Sequence, residues 1–100
     1  MEKKEENNMG VNQSFKLSAI VGIWESLNLH PTVMIYPSKK KYLLSMLHVS
    51  DNGQAQPATY EIQKEDSRYF IVSAFKRLYI GYDKAKDSLS ISYYGNYLRN

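Results

Sequence analysis

Apolar and polar residues alternate along several short segments of the chain, which is the pattern of strands that bury one face. In the segment 77–83 every second residue is apolar, and strand side chains point to opposite faces in turn. The apolar set is therefore predicted to face a core. The core-facing residues predicted in this way are Tyr60, Ile62, Leu78, Ile80, Tyr82, Leu89, Ile91 and Tyr93.

Residues typical of turns separate these segments at a roughly even spacing. Pro31 and Pro37 end strands because proline cannot donate to a ladder, and Asp51-Asn52-Gly53 favours a tight turn. Such a succession predicts an all-β fold, a small antiparallel up-and-down meander or barrel of seven to eight strands. The predicted strands cover residues 22–29, 32–36, 42–50, 58–64, 68–74, 77–83 and 88–94, with a short eighth at 97–99.

A polar segment precedes the first strand and then gives way to apolar residues. These recur between positions 15 and 21, and Asn12 and Ser14 are candidate N-caps. The pattern predicts a short amino-terminal helix, or a single helical turn, over 14–20. Gly22, which tolerates a positive φ, is predicted to end it.

The residues before that segment are mostly polar and cannot bury enough apolar surface to offset the entropy of ordering. We expect a disordered tail over 1–11 and one lipocalin-like barrel domain over 12–100. A signal peptide is not predicted, because Glu5–Asn8 occupy the place of its apolar region. No run approaches the roughly 20 apolar residues of a membrane helix, so we expect no membrane partner and a cytoplasmic location.

The third predicted strand is apolar on both faces. Because the two faces cannot both point into one small interior, the outer face needs a cover. The amino-terminal segment 15–20, a second copy in a homodimer, or another protein are the alternatives. The residues concerned are Tyr42, Leu44 and Met46 on one face and Leu43, Leu47 and Val49 on the other.

Composition and motifs argue against catalysis. The chain has no cysteine, which excludes disulfides, thiolate nucleophiles and cysteine metal sites, and leaves the redox compartment undetermined. His30 and His48 lie on different predicted strands without a motif-spaced carboxylate, so no metal site is predicted. There is no phosphate-binding glycine loop and no nucleophile elbow. We therefore predict no catalytic residues, no cofactor and no enzymatic activity.

Nine tyrosines and a net charge of +3 raise the question of nucleic acid. Tyrosines on barrels stack bases in single-strand binders. The charge is too small to indicate nucleic acid without a clustered patch, and Tyr60, Tyr82 and Tyr93 fall on the predicted inner face. We therefore favour core positions for these three tyrosines, and nucleic acid is not a favoured partner.

Two sets of residues resemble known families. Gly22-x-Trp24, after a short helical segment and before a meander, resembles the calycin superfamily of lipocalins and fatty-acid-binding proteins. That resemblance implies that Trp24 closes the base of an antiparallel barrel, and Gly22 and Trp24 are taken as structural. The chain is shorter than lipocalins, and their arginine-bearing later motif is not evident in it.

More narrowly, four stretches resemble a family of uncharacterised small bacterial domains that are often encoded with conjugative elements. No activity is established for that family, so the resemblance implies a fold and a genetic context only. The stretches are Trp24-Glu25-Ser26, His30-Pro31-Thr32, Pro57-Ala58-Thr59-Tyr60-Glu61-Ile62 and Tyr97-Leu98-Arg99-Asn100.

Successive turns of a meander alternate between two ends, which places the candidate binding site. If Gly22 marks the closed end, the open end carries the turns at 30–31, 51–56, 75–77 and 95–96. We predict a non-catalytic module that binds a small apolar ligand or a peptide at this end. The alternative is a protein-interaction module that uses an edge strand or the third strand; a cavity of roughly 300 Å³ or more, lined by Trp24 and the inner tyrosines, favours the ligand. The candidate binding residues are His30, Lys76, Arg77, Tyr60, Tyr82 and Tyr93.

Overall fold

A computed structural model describes residues 15–100 of the chain. The predicted tail at 1–11 and the candidate N-caps Asn12 and Ser14 lie outside the described residues. Antiparallel strands follow a single 3-10 turn at Leu17–Ile20. The nine strands are β1 (Gly22–Ser26), β2 (Thr32–Ser38), β3 (Lys41–Val49), β4 (Ala55–Glu61), β5 (Gln63–Glu65), β6 (Arg68–Ser73), β7 (Lys76–Asp83), β8 (Ser88–Ile91) and β9 (Gly95–Arg99).

The strands form one sheet that curls into a nearly closed barrel. Its order is β4-β3-β2-β1-β9-β8-β7-β6-β5, so β1 pairs with β9 and the edges β4 and β5 are consecutive in the chain. The Tyr60 hydroxyl lies 3.3 Å from Ser73 Oγ and bridges the seam between β4 and β6. The prediction of an all-β antiparallel fold is confirmed, with nine strands rather than seven to eight.

The additional strand arises where one predicted strand divides in two. Residues 58–64 form a single run in the sequence, but Ala55–Glu61 pairs with β3 and Gln63–Glu65 pairs with β6. Ile62, buried between them, donates its amide to the carbonyl of Tyr42 at 2.9 Å. At Ile62 the chain passes from pairing with β3 to pairing with β6 without an intervening turn. The alternation of apolar and polar side chains gives no sign of this change.

The described part of the segment is a four-residue 3-10 turn, so the predicted short helix is wrong and a single turn stands in its place. Lys16 and Val21 on either side of it are extended, and no side chain caps its start. Gly22 then enters β1 with a φ of 148°, and a Cβ at that position would meet Arg99 Nη1 at 2.8 Å. The positive φ, together with the Arg99 guanidinium beside it, favours glycine here rather than a helix end.

Side chains fill the centre of the barrel. The core residues are at most 6% exposed, and Trp24 and Tyr97 are the largest fully buried ones. Of the predicted core positions, Ile62, Leu78, Ile80, Leu89 and Ile91 are buried. The inner face of β1 to β3 adds Trp24, Val33, Ile35, Leu44 and Met46.

Tyr93 is a correction to the predicted core. β8 ends at Ile91, and Tyr93 lies in the following turn with a φ of 69° and 76% of its surface exposed. Tyr97 on β9 occupies the interior instead and donates its hydroxyl to the carbonyl of Pro31 at 3.1 Å. The turn breaks the alternation on which the prediction depended.

Within the described residues, the large apolar side chains of the amino-terminal segment 15–20 pack with the core rather than on the outer face of β3. Phe15, for example, contacts the inward-facing Tyr69, with ring centroids 5.1 Å apart. On the outer face of β3, Leu43 and Leu47 are half-buried and Val49 is exposed.

A short hydrogen-bonded row crosses that outer face. Ser45 is 5% exposed, and its hydroxyl contacts the hydroxyls of Tyr36 at 3.1 Å and Thr59 at 2.8 Å. Side chains of neighbouring strands thus shield part of this face, and a second copy or another protein there stays a prediction.

Candidate functional site

The closed end of the barrel is organised by Trp24. Its side chain is fully buried, and its indole N–H donates to the carbonyl of Ile20 at 2.9 Å. The guanidinium carbon of Arg99 lies 4.3 Å from the centre of the indole ring. This geometry is a cation–π contact between the first strand and the last one.

Arg99 also links the termini of the barrel through hydrogen bonds. It donates to the carbonyls of Val21 at 2.7 Å and Ala19 at 2.8 Å. Its Nε and Nη2 donate to the two carboxylate oxygens of Asp87 at 2.8 and 2.9 Å. Tyr82 donates its hydroxyl to Asp87 Oδ1 at 2.7 Å.

The ionisation of this network follows from the contacts. The hydrogen bonds from Arg99, and then from Tyr82, lower the pKa of Asp87 to about 2. The hydrogen bond to Asp87, together with burial, raises the pKa of Tyr82. Each of these polar groups has a partner, so the network holds the barrel closed. Tyr82, a predicted binding residue, is one of the members of this network.

The six predicted binding residues do not form one pocket. His30, Lys76 and Tyr93 lie at the open end, where the Lys76 ammonium is 5.4 Å from the centre of the Tyr93 ring. Tyr60 is in the barrel wall at the seam. Arg77 points outward, forms an ion pair with Glu65 and lies 4.4 Å from the centre of the Phe70 ring.

Large apolar side chains project from the loops of the open end. Eight large hydrophobic side chains are exposed among the described residues, and five of them lie on or beside these loops. Leu29 and Phe75 are fully exposed. The remaining three, Ile23, Val72 and Leu98, lie on the barrel wall. The five, which we call the apolar loop tips, are Leu27, Leu29, Val49, Phe75 and Tyr93.

Three of the apolar loop tips are also held in a strained backbone conformation. Leu29, Phe75 and Tyr93 have φ values of 62°, 66° and 69°. This left-handed region is unfavourable for residues that carry a Cβ, and glycine or asparagine is the usual choice. These positions therefore combine an exposed apolar side chain with an unfavourable backbone conformation.

The open end carries little net charge. Its loops hold Asp51 and Lys76, whose formal charges cancel, and Arg77 beside them is paired with Glu65. A surface that binds anionic lipid headgroups is typically rich in lysine and arginine around its apolar residues. That feature is missing from these loops.

A groove of about 470 Å³ lies elsewhere, on the outer side of the sheet. Tyr79, Gly81, Ser90 and Ser92 alternate with buried inward residues of β7 and β8, so they point outward. Phe15, Ser67 and Tyr69 lie at its end nearest the closed end. The remaining residues around it are Arg68, Ile80, Tyr82, Ile91, Gly95 and Asn96.

The family model described as "Domain of unknown function, B. Theta Gene description (DUF3876)" matches residues 8–99. The chain belongs to this family. No curated protein and no solved structure matches the chain. The site of this family domain therefore has to be argued from its own geometry.

Among residues 15–100 of the family domain, no group of three or more histidine, cysteine, aspartate or glutamate side chains is arranged to hold a metal ion. Within the same residues, no helix is long and apolar enough to cross a membrane.

The sequence contained a signal for the apolar loop tips that the prediction did not use. Leu29 directly precedes His30 in a segment that ends in proline, and Phe75 lies between two hydrophobic runs where a turn is expected. Turns normally carry glycine, asparagine or serine. A large apolar residue inside a turn is therefore a marker of an exposed contact residue.

Proposed function

We propose that this family domain is a non-catalytic module that binds a partner protein through the apolar loop tips at its open end. The observation that carries the proposal is the concentration of five exposed apolar side chains at one end of the barrel. Contiguous exposed apolar patches are uncommon on monomers and mark interaction surfaces. The strained backbone of Leu29, Phe75 and Tyr93 supports the same conclusion, since strain is often kept where it serves a function.

A protein partner fits these loops better than the alternatives. The filled core disfavours a ligand inside the barrel. The balanced charge of Asp51 and Lys76 disfavours an anionic membrane surface. A partner with a shallow apolar depression that receives Phe75 and Leu29 matches both the chemistry and the projecting shape, because interface anchors are commonly aromatic or aliphatic side chains in pockets.

The edge of β4 is a weaker candidate surface. Ile62 bonds to Tyr42 of β3, and the pairing register then turns the amides of Ala55, Pro57 and Thr59 toward the open seam. Pro57 has no N–H to offer there, which is a common way to block addition of another strand. The seam is thus protected against the edge-strand binding that the sequence left open.

The test is a site-specific photo-crosslinker placed at position 75 in the full chain within its native cell. Position 98 on the barrel wall is the matched control, because Leu98 is also an exposed apolar residue. We expect one protein to crosslink from position 75 and not from position 98. Binding of that purified protein should then weaken at least tenfold in Phe75→Ser, since anchor residues often contribute about 2 kcal/mol or more.

The control Leu98→Ser should retain the affinity of the unmodified chain. Equal crosslinking from both positions, or unchanged affinity of Phe75→Ser and Leu29→Ser, would exclude the open end as the binding surface. If the unmodified chain sediments with lipid vesicles and Phe75→Ser does not, the binding partner is a membrane surface and not a protein.

We further propose that the barrel is related to calycins. The support is Trp24 at the base of the first strand together with Arg99 of the last strand, 4.3 Å from its ring. In this proposal Arg99 corresponds to the arginine of the later lipocalin motif, which the sequence pattern did not reveal. An Arg99→Gln variant with unchanged Trp24 fluorescence would remove this support. The association with conjugative elements stays a proposal that rests on the sequence resemblance.

A further inference from the structure

The outer face of β6 and β7 carries a row of alternating cationic and aromatic side chains. The guanidinium carbon of Arg68 lies 3.7 Å from the centre of the Tyr79 ring. Phe70 and Tyr79 pack with ring centroids 5.8 Å apart, and Arg77 covers Phe70. Arginine and aromatic residues therefore interleave on this face, which their positions in the sequence did not suggest.

The two arginines of this row differ in their partners. Arg77 forms an ion pair with Glu65, and this contact raises the pKa of Arg77. Arg68 is exposed, and within residues 15–100 no carboxylate lies within 4 Å of its guanidinium. Stacking on Tyr79 orients Arg68 while its N–H groups stay available to an acceptor.

Gly81 creates the groove beside Arg68. Arg68 lies opposite Gly81, one step beyond the Tyr69–Ile80 pair of β6 and β7. A Cβ on Gly81 would meet Ser90 Oγ at 2.6 Å, so the glycine allows Ser90 to lie directly over the strand. Gly81 and the Ser90 side chain therefore form the groove floor beside the Tyr79 ring, and the groove volume of about 470 Å³ suits a small molecule.

The polar groups around the groove favour an anion. Among residues 15–100 its lining contains no aspartate, glutamate or lysine, and within that part of the chain Arg68 supplies its charge. Ser67, Ser90, Ser92 and Asn96 add side-chain donors. Ser92 Oγ accepts the Tyr79 amide at 2.9 Å, which leaves its own hydrogen to donate.

We propose that this groove binds a small planar anion of the mononucleotide class. The flat ring lies over Gly81 and Ser90 beside Tyr79, and the phosphate accepts hydrogen bonds from Arg68 and the neighbouring serines. Arginine suits this role because its planar fork binds phosphate oxygens in pairs. The proposal is independent of the protein partner at the open end, since the two sites share no residue.

The experiment is NMR titration of the full, isotopically labelled chain with AMP, adenosine and inorganic phosphate as separate probes. Gly81 and Gly95 border the groove, and glycine amide signals are easy to follow. We expect AMP to shift these signals at lower concentration than either adenosine or phosphate. No shift at about 5 mM AMP, a concentration that detects millimolar affinity, would overturn the proposal.

Two arginine variants form a matched pair, since each removes one positive charge from the same face. Arg68→Gln should weaken AMP binding roughly tenfold or more, because charge-assisted hydrogen bonds to phosphate are lost. Arg77→Gln, outside the groove lining, should change the affinity by less than about threefold. Equal losses of AMP affinity in both variants would indicate general electrostatic attraction to this face and would overturn the proposal of a specific site.

The remaining outcomes separate the two parts of the ligand. Adenosine binding as tightly as AMP overturns the role of the anion, and phosphate binding as tightly as AMP overturns the role of the ring. Gly81→Val should abolish the AMP shifts at Gly95 by filling the groove while the barrel stays folded. Binding of the photo-crosslinked partner protein should be unaffected by Gly81→Val and Arg68→Gln.

Discussion

The two ends of the barrel use their unusual residues in opposite ways. At the closed end, Trp24 is fully buried, its N–H is bonded to Ile20, and Arg99 satisfies two carbonyls and a carboxylate at once. At the open end, Leu29 and Phe75 are fully exposed and strained. Buried aromatics and bonded charges stabilise a fold, whereas exposed apolar residues in strained turns do not.

The difference separates residues that hold the barrel from residues available for binding. A small domain has a narrow margin of stability, so strain at several loop tips is retained only where something offsets it. The closed end provides that offset through contacts between the first and last strands. Changes at the two ends should therefore affect different measurements.

The largest effect is expected from Trp24→Ala, with Tyr93→Ala as the matched control at the other end. Truncating a fully buried aromatic should lower the free energy of unfolding by about 3–5 kcal/mol. Tyr93 is 76% exposed, so its loss should change stability by no more than about 0.5 kcal/mol. Urea unfolding followed by circular dichroism measures both. Similar losses of unfolding free energy in the two variants would show that the two ends do not differ in their contribution to stability.

A smaller effect, of opposite sign, is expected in the two-residue turn between β6 and β7. Ala74 and Phe75 both have positive φ, the conformation in which Asn-Gly is favoured. Replacing this pair with Asn-Gly should raise stability by roughly 0.5–1 kcal/mol. The same variant should lose binding of the crosslinked partner. A gain in stability with intact binding would show that the strain at this turn has no functional counterpart.

The smallest effect is expected in acid, through the Asp87–Arg99 ion pair. The pKa of Asp87 in the folded chain is lowered to about 2, below the ordinary 3.8 of an aspartate. The contribution of Asp87 is therefore present above about pH 4 and is lost as the pH falls toward 2. The stability difference between the unmodified chain and Asp87→Asn should shrink over that window. In an Arg99→Gln background the difference should be small at every pH, and a persistent gap would contradict the assignment.

Much of the fold was readable from local pattern. Strict alternation identified the inner faces of β7 and β8 through Leu78, Ile80, Leu89 and Ile91, all buried. Trp24 was recognised as structural because a lone tryptophan after a glycine stood at the start of the meander. These signals are local, since each depends on residues that are close in sequence.

The rest depended on contacts that local pattern does not contain. The change of pairing at Ile62 concerns which strands meet, and Arg99 reaches Trp24 only after the barrel has closed. The groove likewise needs Arg68, Gly81 and Ser90, which lie on three adjacent strands. The sequence pattern extends β8 across a turn and therefore predicts Tyr93 inside the barrel.

The pairing of β1 with β9 also matters while the protein is being made. β9 lies between β1 and β8, with Tyr97 opposite Ser26 and the amide of Leu27 bonded to the carbonyl of Asn96. The first strand therefore lacks one neighbour until the last residues of the domain have left the ribosome. During that interval its unpaired edge is open to other chains, because long-range strand pairing forms late and exposes the chain to aggregation. For this domain the speed of translation and access to chaperones should therefore influence the yield of folded protein.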